Sequence, residues 1–270
     1  MNPLRSLQGL WRNEALDRVM DAANKPVGSM HYDPWGYSRE VSKLAFSLFR
    51  PVYDHYFRVS AEGLENIPQD GPCLVIANHS GQLPHDAALL GYAVGTNPHG
   101  ARAPRAMMER FLPTIPFLGN LLNRVGAVVG DPLNCSKMLE AGELILVFPE
   151  GVRGTGKAFN RRYQLERFGH GFMHLAIEHK VPIVPVGIVG CEESILTVGY
   201  SKLLARLARI PYVPIALPVV LPTKVYMQIG KPMYFDAAEN EDRIASQVES
   251  VKHTIAGLIH EGLSRRKGWF

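Results

Sequence analysis

Cysteine is scarce in this chain, and what there is follows no pattern. Cys73, Cys135 and Cys191 are far apart, odd in number and without a CxxC pair. That set argues against a disulfide framework or a zinc site and makes a reducing compartment the default reading. Long apolar runs are also missing. None reaches the roughly 18 residues that span a bilayer. The longest, Ile210 to Pro222, carries four prolines, which excludes a regular helix. No block of like charge exceeds three residues. With a formal net charge of +4, the chain gives no reason to expect nucleic acid as a partner. The mild excess fits an anionic membrane surface or an anionic acyl carrier. The start of the chain lacks the order of a secretory signal. Arg5 and Arg12 bracket only a short apolar patch, and Glu14, Asp17 and Arg18 follow.

What is present suits one large α/β unit. The chain has 270 residues, 46% of them hydrophobic, enough to bury a sizeable core. Residues 1–24 read as a helix with Leu7, Leu10 and Trp11 on one side, ended by Asn24-Lys25-Pro26. Val41, Leu44 and Leu48 predict a second helix over 38–50, with Pro51 kinking or ending it. Beyond Asp70-Gly71-Pro72 short apolar runs of strand type appear at 73–77, 125–129, 144–148, 183–189 and 225–229. A stripe of Ile244, Val248, Val251, Ile255, Leu258 and Leu263 predicts a long helix over about 240–264. The expected architecture is α/β: a central, mostly parallel or mixed sheet flanked by helices, with N-terminal helices and a long C-terminal helix. Residues 1–58 form the N-terminal helical part, a candidate membrane-docking segment, and 59–270 a single compact unit.

Two segments carry chemistry. The first, Asn78-His79-Ser80-Gly81-Gln82-Leu83-Pro84-His85-Asp86, follows an apolar strand. The C-terminal ends of strands in an α/β sheet line the ligand crevice. Gly81 and Pro84 let the loop turn back so that Asp86 meets His79. A carboxylate fixes the tautomer of an imidazole and raises its basicity. Such a pair removes a proton from an alcohol without a serine nucleophile. Ser80 lacks the context of a nucleophile elbow. His85 is the rival base, but it neighbours Asp86 in sequence, and adjacent side chains point apart. A solvated loop that happens to hold two histidines is the plain alternative.

The second segment is Leu144-Ile145-Leu146-Val147-Phe148-Pro149-Glu150-Gly151-Val152-Arg153-Gly154. Pro149 and Gly151 make a sharp turn after a buried strand and present Glu150 and Arg153 beside each other. The guanidinium fork of Arg153 suits a phosphate or a thioester carrier; a surface ion pair is the alternative. An overlapping run, Gly151 to Ala158, nearly matches the phosphate-binding P-loop. Its last position should be Ser or Thr and is Ala158, and no apolar-faced helix follows.

Together these segments resemble the glycerolipid (lysophospholipid) acyltransferase family, the PlsC-like acyltransferases. Asn78, His79 and Asp86 match its first block. Phe148, Pro149, Glu150, Gly151 and Arg153 match its third, with Val152 in place of Thr, and Val181-Pro182-Ile183-Val184-Pro185-Val186 its fourth. The resemblance covers about residues 60–235. Two departures stand out. Asp86 lies seven residues after His79, two more than the usual gap. The segment Gly126 to Pro132 lacks the acceptor-binding arginine of the second block; Arg124 only precedes it. A neutral acceptor, such as a mono- or diacylglycerol, thereby becomes plausible beside a lysophospholipid.

The resemblance implies that His79, oriented by Asp86, deprotonates an acceptor hydroxyl. The oxygen then attacks the thioester of acyl-CoA or acyl carrier protein. Glu150, Gly151 and Arg153 bind substrate, and Ser80 and Gly81 give oxyanion or loop support. No cofactor and no metal are implied. The partners expected are a membrane lipid acceptor, the acyl carrier and an anionic membrane surface, with the protein peripheral on the cytoplasmic face. Two rivals remain: an acyl ester hydrolase using the same pair with water, and a non-catalytic lipid-binding protein. Candidate membrane contacts are the N-terminal helices, a basic amphipathic stretch over Ser201–Ile210 with Lys202, Arg206 and Arg209 on one side, and the tail Arg265 to Phe270.

Overall fold

A computed structural model describes residues 18, 21, 32–80, 83–155, 157, 159–201, 213–216, 219–237 and 240–268. The expected sheet is present and is wider than the apolar runs alone indicate. In chain order its strands are β1 (Ser60–Glu62), β2 (Cys73–Ala77), β3 (Pro104–Met108), β4 (Val128–Val129), β5 (Leu144–Val147), β6 (Ile183–Val189) and β9 (Tyr226–Ile229). A separate antiparallel pair is made by β7 (Thr197–Ser201) and β8 (Val213–Ala216). The order across the large sheet is β1-β9-β6-β2-β5-β3-β4. Strand β2 sits between β5 and β6 and runs parallel to both. β3 and β4 extend the parallel part, whereas β9 is antiparallel to β6, so the sheet is mixed.

The alternation of β2 builds two cores, because successive side chains leave opposite faces of a strand. Leu74 and Ile76 pack with Met138 and Leu139 of helix α4 (Pro132–Glu140), Phe172 and Met173 of α6 (Gly171–Glu178), and the stripe of α7 (Glu241–Arg265). Asn240 caps α7, its side chain accepting from the Arg243 N–H at 2.9 Å. Cys73, Val75 and Ala77 face the other way, onto Leu89, Leu90 and Val94 of α2 (His85–Gly95). Helix α1 (Arg39–Pro51) lies over α2, with the Phe46 and Tyr92 rings stacked 5.3 Å apart. The α-helix stops at Pro51, which has no N–H to donate, and the chain continues as a π-helical turn, Val52–Tyr56.

Three expectations change. The strand expected over 125–129 shortens to Val128–Val129, because Val125 caps helix α3 (Leu118–Arg124) and Gly126 turns with φ +101°. The expected helix at Ser201 is a strand end, and 202–210 lie outside the described residues. Of the candidate membrane-contacting tail, Arg266 turns into the fold, its guanidinium donating to buried Glu193 at 2.6 Å. Trp269, Phe270 and all of 1–24 except Arg18 and Asp21 also lie outside the described residues. Among those that are described, no helix is long and apolar enough to cross a membrane.

Candidate active site

Asn78 follows the end of strand β2, and its amide acts as one more rung of the sheet. Its Oδ1 accepts from the Ile188 N–H at 2.7 Å and its Nδ2 donates to the Ile188 carbonyl at 3.0 Å. That fixes where the next residue leaves the sheet. His79 Nδ1 then meets Asp86 Oδ2 at 2.7 Å. The loop's two additional residues do not prevent the contact, because Asp86 sits in the first turn of α2 and points back. The same Oδ2 accepts from the Ser80 N–H at 2.7 Å, and Oδ1 from the Ala87 N–H at 2.7 Å. Burial alone would raise the Asp86 carboxyl. The charge and hydrogen bond of His79 outweigh it, His85 and the Ser80 N–H add to them, and the carboxyl is held below its ordinary value. An ionised Asp86 accepts the hydrogen bond of the Nδ1–H, which keeps the proton on Nδ1 and leaves Nε2 as the basic nitrogen. No described protein group bonds that Nε2.

Ser80 is fully buried, with its hydroxyl 3.4 Å from Asp86, which fits support of the loop and gives it no nucleophilic access. Gly81 lies outside the described residues. Both nitrogens of the rival base are occupied: His85 Nδ1 meets the Leu83 carbonyl at 2.9 Å and Nε2 the Ser194 hydroxyl at 2.8 Å.

Strand β5 delivers the second segment beside the first. The Phe148 ring lies 4.6 Å from the His79 ring. Glu150 was expected to meet substrate, yet it is 1% exposed and faces inward. Its Oε1 accepts from the His79 N–H at 2.9 Å and its Oε2 from the Glu166 N–H at 2.8 Å. Glu150 therefore ties the two loops together. Gly151 turns the chain with φ +55°. Arg153, on the short helix α5 (Val152–Thr155), is exposed, 3.5 Å from the Arg167 carbonyl. It does not stand with Glu150 as the sequence reading had it.

Two residues that the sequence reading missed hold this arrangement. A Cβ on Gly154 would sit 2.7 Å from the Glu150 Cβ and 2.8 Å from the His79 Cβ, so only glycine fits between the loops. Lys157, the lysine of the P-loop look-alike, faces no phosphate. Its buried ammonium lies 2.8 Å from Glu192 and 3.4 Å from Glu150. Burial pulls Lys157 down, but Glu192 and Glu150 together raise it, so it stays charged. One lysine serves two carboxylates, and burial pushes Glu192 up to about 7.

Lys157→Met should cost roughly 3–5 kcal/mol of stability, the usual loss when one member of a buried ion pair is removed. The loss should be larger at pH 8 than at pH 6, because Lys157 is what holds the Glu192 carboxyl down; without it the carboxyl rises further, and ionising it at pH 8 costs the variant more than the wild type. Urea denaturation at both pH values measures it. The double variant Lys157→Met/Glu192→Gln should recover part of the loss; no recovery would show that Glu192 is not the main partner.

Next to His79 lies a cavity of about 260 Å³ between α1, α2, α3 and strands β3 and β5. Phe46, Tyr92, Met108, Leu146 and Phe148 give it an apolar wall, and His79, Glu109 and Tyr92 are its ionisable groups. Gly151 also lines it; Glu150 and Arg153 do not. Among the described residues no group of His, Cys, Asp and Glu is placed to hold a metal ion.

Known proteins resemble this chain in sequence and in fold. The profile of the family described as Acyltransferase matches residues 58–189. An uncharacterized protein of Mycobacterium tuberculosis is 34% identical over 260 residues, covering 90% of this chain and 73% of that one. The human "DGAT1/2-independent enzyme synthesizing storage lipids" is 30% identical over 202 residues, covering 73% of this chain and 59% of that one. In fold, the chain is similar to the 1-acyl-sn-glycerophosphate (LPA) acyltransferase PlsC of Thermotoga maritima. The TM-score is 0.55 at 20% identity, over 82% of each chain.

Proposed function

The chain belongs to the acyltransferase family, and from that premise we propose that it moves a fatty acyl group from a thioester of coenzyme A or acyl carrier protein onto a glycerolipid hydroxyl. One observation carries the reading. His79 is paired with Asp86 at 2.7 Å through Nδ1, and its ring lines an apolar cavity. In this mechanism Nε2 takes the proton of the acceptor hydroxyl as its oxygen attacks the thioester carbonyl. The tetrahedral intermediate collapses, the C–S bond breaks, and the leaving thiolate takes the proton back from the imidazolium. Asp86 remains ionised throughout and stabilises that imidazolium. The cavity holds the acyl chain, each buried methylene contributing about 0.8 kcal/mol. Glu150, Gly154 and Lys157 position His79; they do not touch the reacting atoms. The enzyme works on the cytoplasmic face of a membrane, a reducing side that suits three free, buried cysteines. A labelled acyl thioester offered to a panel of acceptors tests the reading. Fatty acid released without any acceptor would make the protein a hydrolase instead.

Two observations favour a neutral glyceride as acceptor. The segment Gly126 to Pro132 holds no arginine, and the human relative is named for storage-lipid synthesis. Arg153 is the motif residue left to hold a phosphate. Arg153→Lys keeps the charge and loses the bidentate fork. It should change the rates on monoacylglycerol and lysophosphatidic acid in equal proportion, measured beside the wild-type rates. A selective loss on lysophosphatidic acid would make Arg153 a phosphate ligand and the acceptor a lysophospholipid.

A further inference from the structure

Exposed apolar side chains gather on the segments that wall the cavity. Leu48 stands on α1, Leu83 on the loop between His79 and Asp86, and Ile115, Phe117 and Leu121 on the stretch between β3 and β4; all five are exposed. Each of these segments also sends residues into the cavity. The stretch between β3 and β4 is the most pronounced case. Leu112 and Leu122 face the cavity, while Ile115 is 38%, Leu121 51% and Phe117 93% exposed. Phe117 also holds φ +64°, a left-handed conformation that a bulky aromatic residue rarely adopts. The fold thus keeps a disfavoured backbone in order to put a phenyl ring in water. Arg110 and Arg124 bracket the tip, and no acidic residue occurs from 110 to 130.

We propose that Ile115, Phe117 and Leu121 form a tip that inserts into the interfacial layer of an anionic lipid bilayer. The proposal rests on the acyl-transfer reading, which requires a bilayer-dissolved acceptor to reach His79. Three features select a bilayer rather than a protein partner. The tip and the cavity wall are two sides of one short segment, so insertion brings the chain-binding space against the layer that holds the substrate's chains. The apolar side chains are large and include an aromatic ring, the kind that settles at the headgroup level. The flanking arginines complement anionic headgroups.

An environment-sensitive dye on Phe117→Cys tests this in the full chain. Cys73, Cys135 and Cys191 are buried, so the dye reports from position 117. With vesicles of phosphatidylcholine and phosphatidylglycerol, the emission should shift to the blue and be quenched by spin-labelled acyl chains. A dye that stays in water while the protein sediments with the vesicles overturns the proposal and moves the docking surface elsewhere. Phe117→Ser/Leu121→Ser should bind the vesicles about tenfold more weakly. It should also lose activity on a vesicle-borne acceptor while keeping it on a short-chain acceptor dissolved below its micelle concentration. Equal losses on both acceptors would overturn the tip as a docking device. A wild-type chain inactive on every acceptor, with the dye still inserting, would leave the docking surface standing and remove the catalytic reading.

Discussion

His79→Ala is expected to lower the rate of acyl transfer by roughly 10²–10⁴-fold, the usual contribution of a positioned general base. The fold should survive with some loss of stability, because the side chain borders a cavity and its removal takes away only the Phe148 ring contact and the pairing with Asp86. His85→Ala is the control. Its ring is stacked on Phe57 at 5.6 Å and bonded through both nitrogens, to Leu83 and Ser194. Removing it should weaken local packing and cost far less of the rate. Steady-state rates of the two variants, taken well below their melting temperatures, decide the matter. A larger loss from His85 would mean that the base has been misassigned.

Asp86→Asn should be nearly as damaging, on the order of 10²–10⁴-fold, because the change removes the charge that fixes the His79 tautomer and stabilises the imidazolium. It should also destabilise the fold. Asp86 accepts from the Ser80 N–H on one oxygen and the Ala87 N–H on the other. An asparagine has one acceptor and one donor group, so one of these buried N–H groups is left facing an amide N–H. An unsatisfied buried group costs about 1–3 kcal/mol. Activity and urea denaturation measured on the same sample separate the two effects. Near-normal turnover in a destabilised variant would assign Asp86 a structural role only.

The sequence made the sheet's centre and both motif loops readable, for a physical reason. Strands β2, β5 and β6 are buried on both faces and appear as continuous apolar runs, and α7 carries its stripe over 25 residues. Strands β1, β3, β7 and β8 escaped. β1 (Ser60–Glu62) is a short edge strand, and β3 carries Arg105, whose charge is neutralised by Asp33 and Glu143, neither of them near it in sequence. Proline-rich 210–222 hid β8. In the site, the meeting of His79 and Asp86 was readable from two turn-forming residues between them. The inward direction of Glu150 was not, because it depends on the His79 N–H arriving from a distant part of the chain and on a turn that folds Lys157 inward. Gly154 and Lys157 were concealed by a look-alike motif. Local pattern reports the element a residue belongs to; only tertiary contact reports which way a buried carboxylate faces.

The most direct test of the central claim is a single-turnover reaction with a radiolabelled acyl thioester, run with and without a monoacylglycerol acceptor and resolved into lipid, free fatty acid and protein fractions. Direct transfer assisted by His79 predicts label in diacylglycerol, dependent on the acceptor and lost in His79→Ala, with no label on the protein at any time. Label that passes through the protein, or leaves as fatty acid at the same rate without an acceptor, would contradict it.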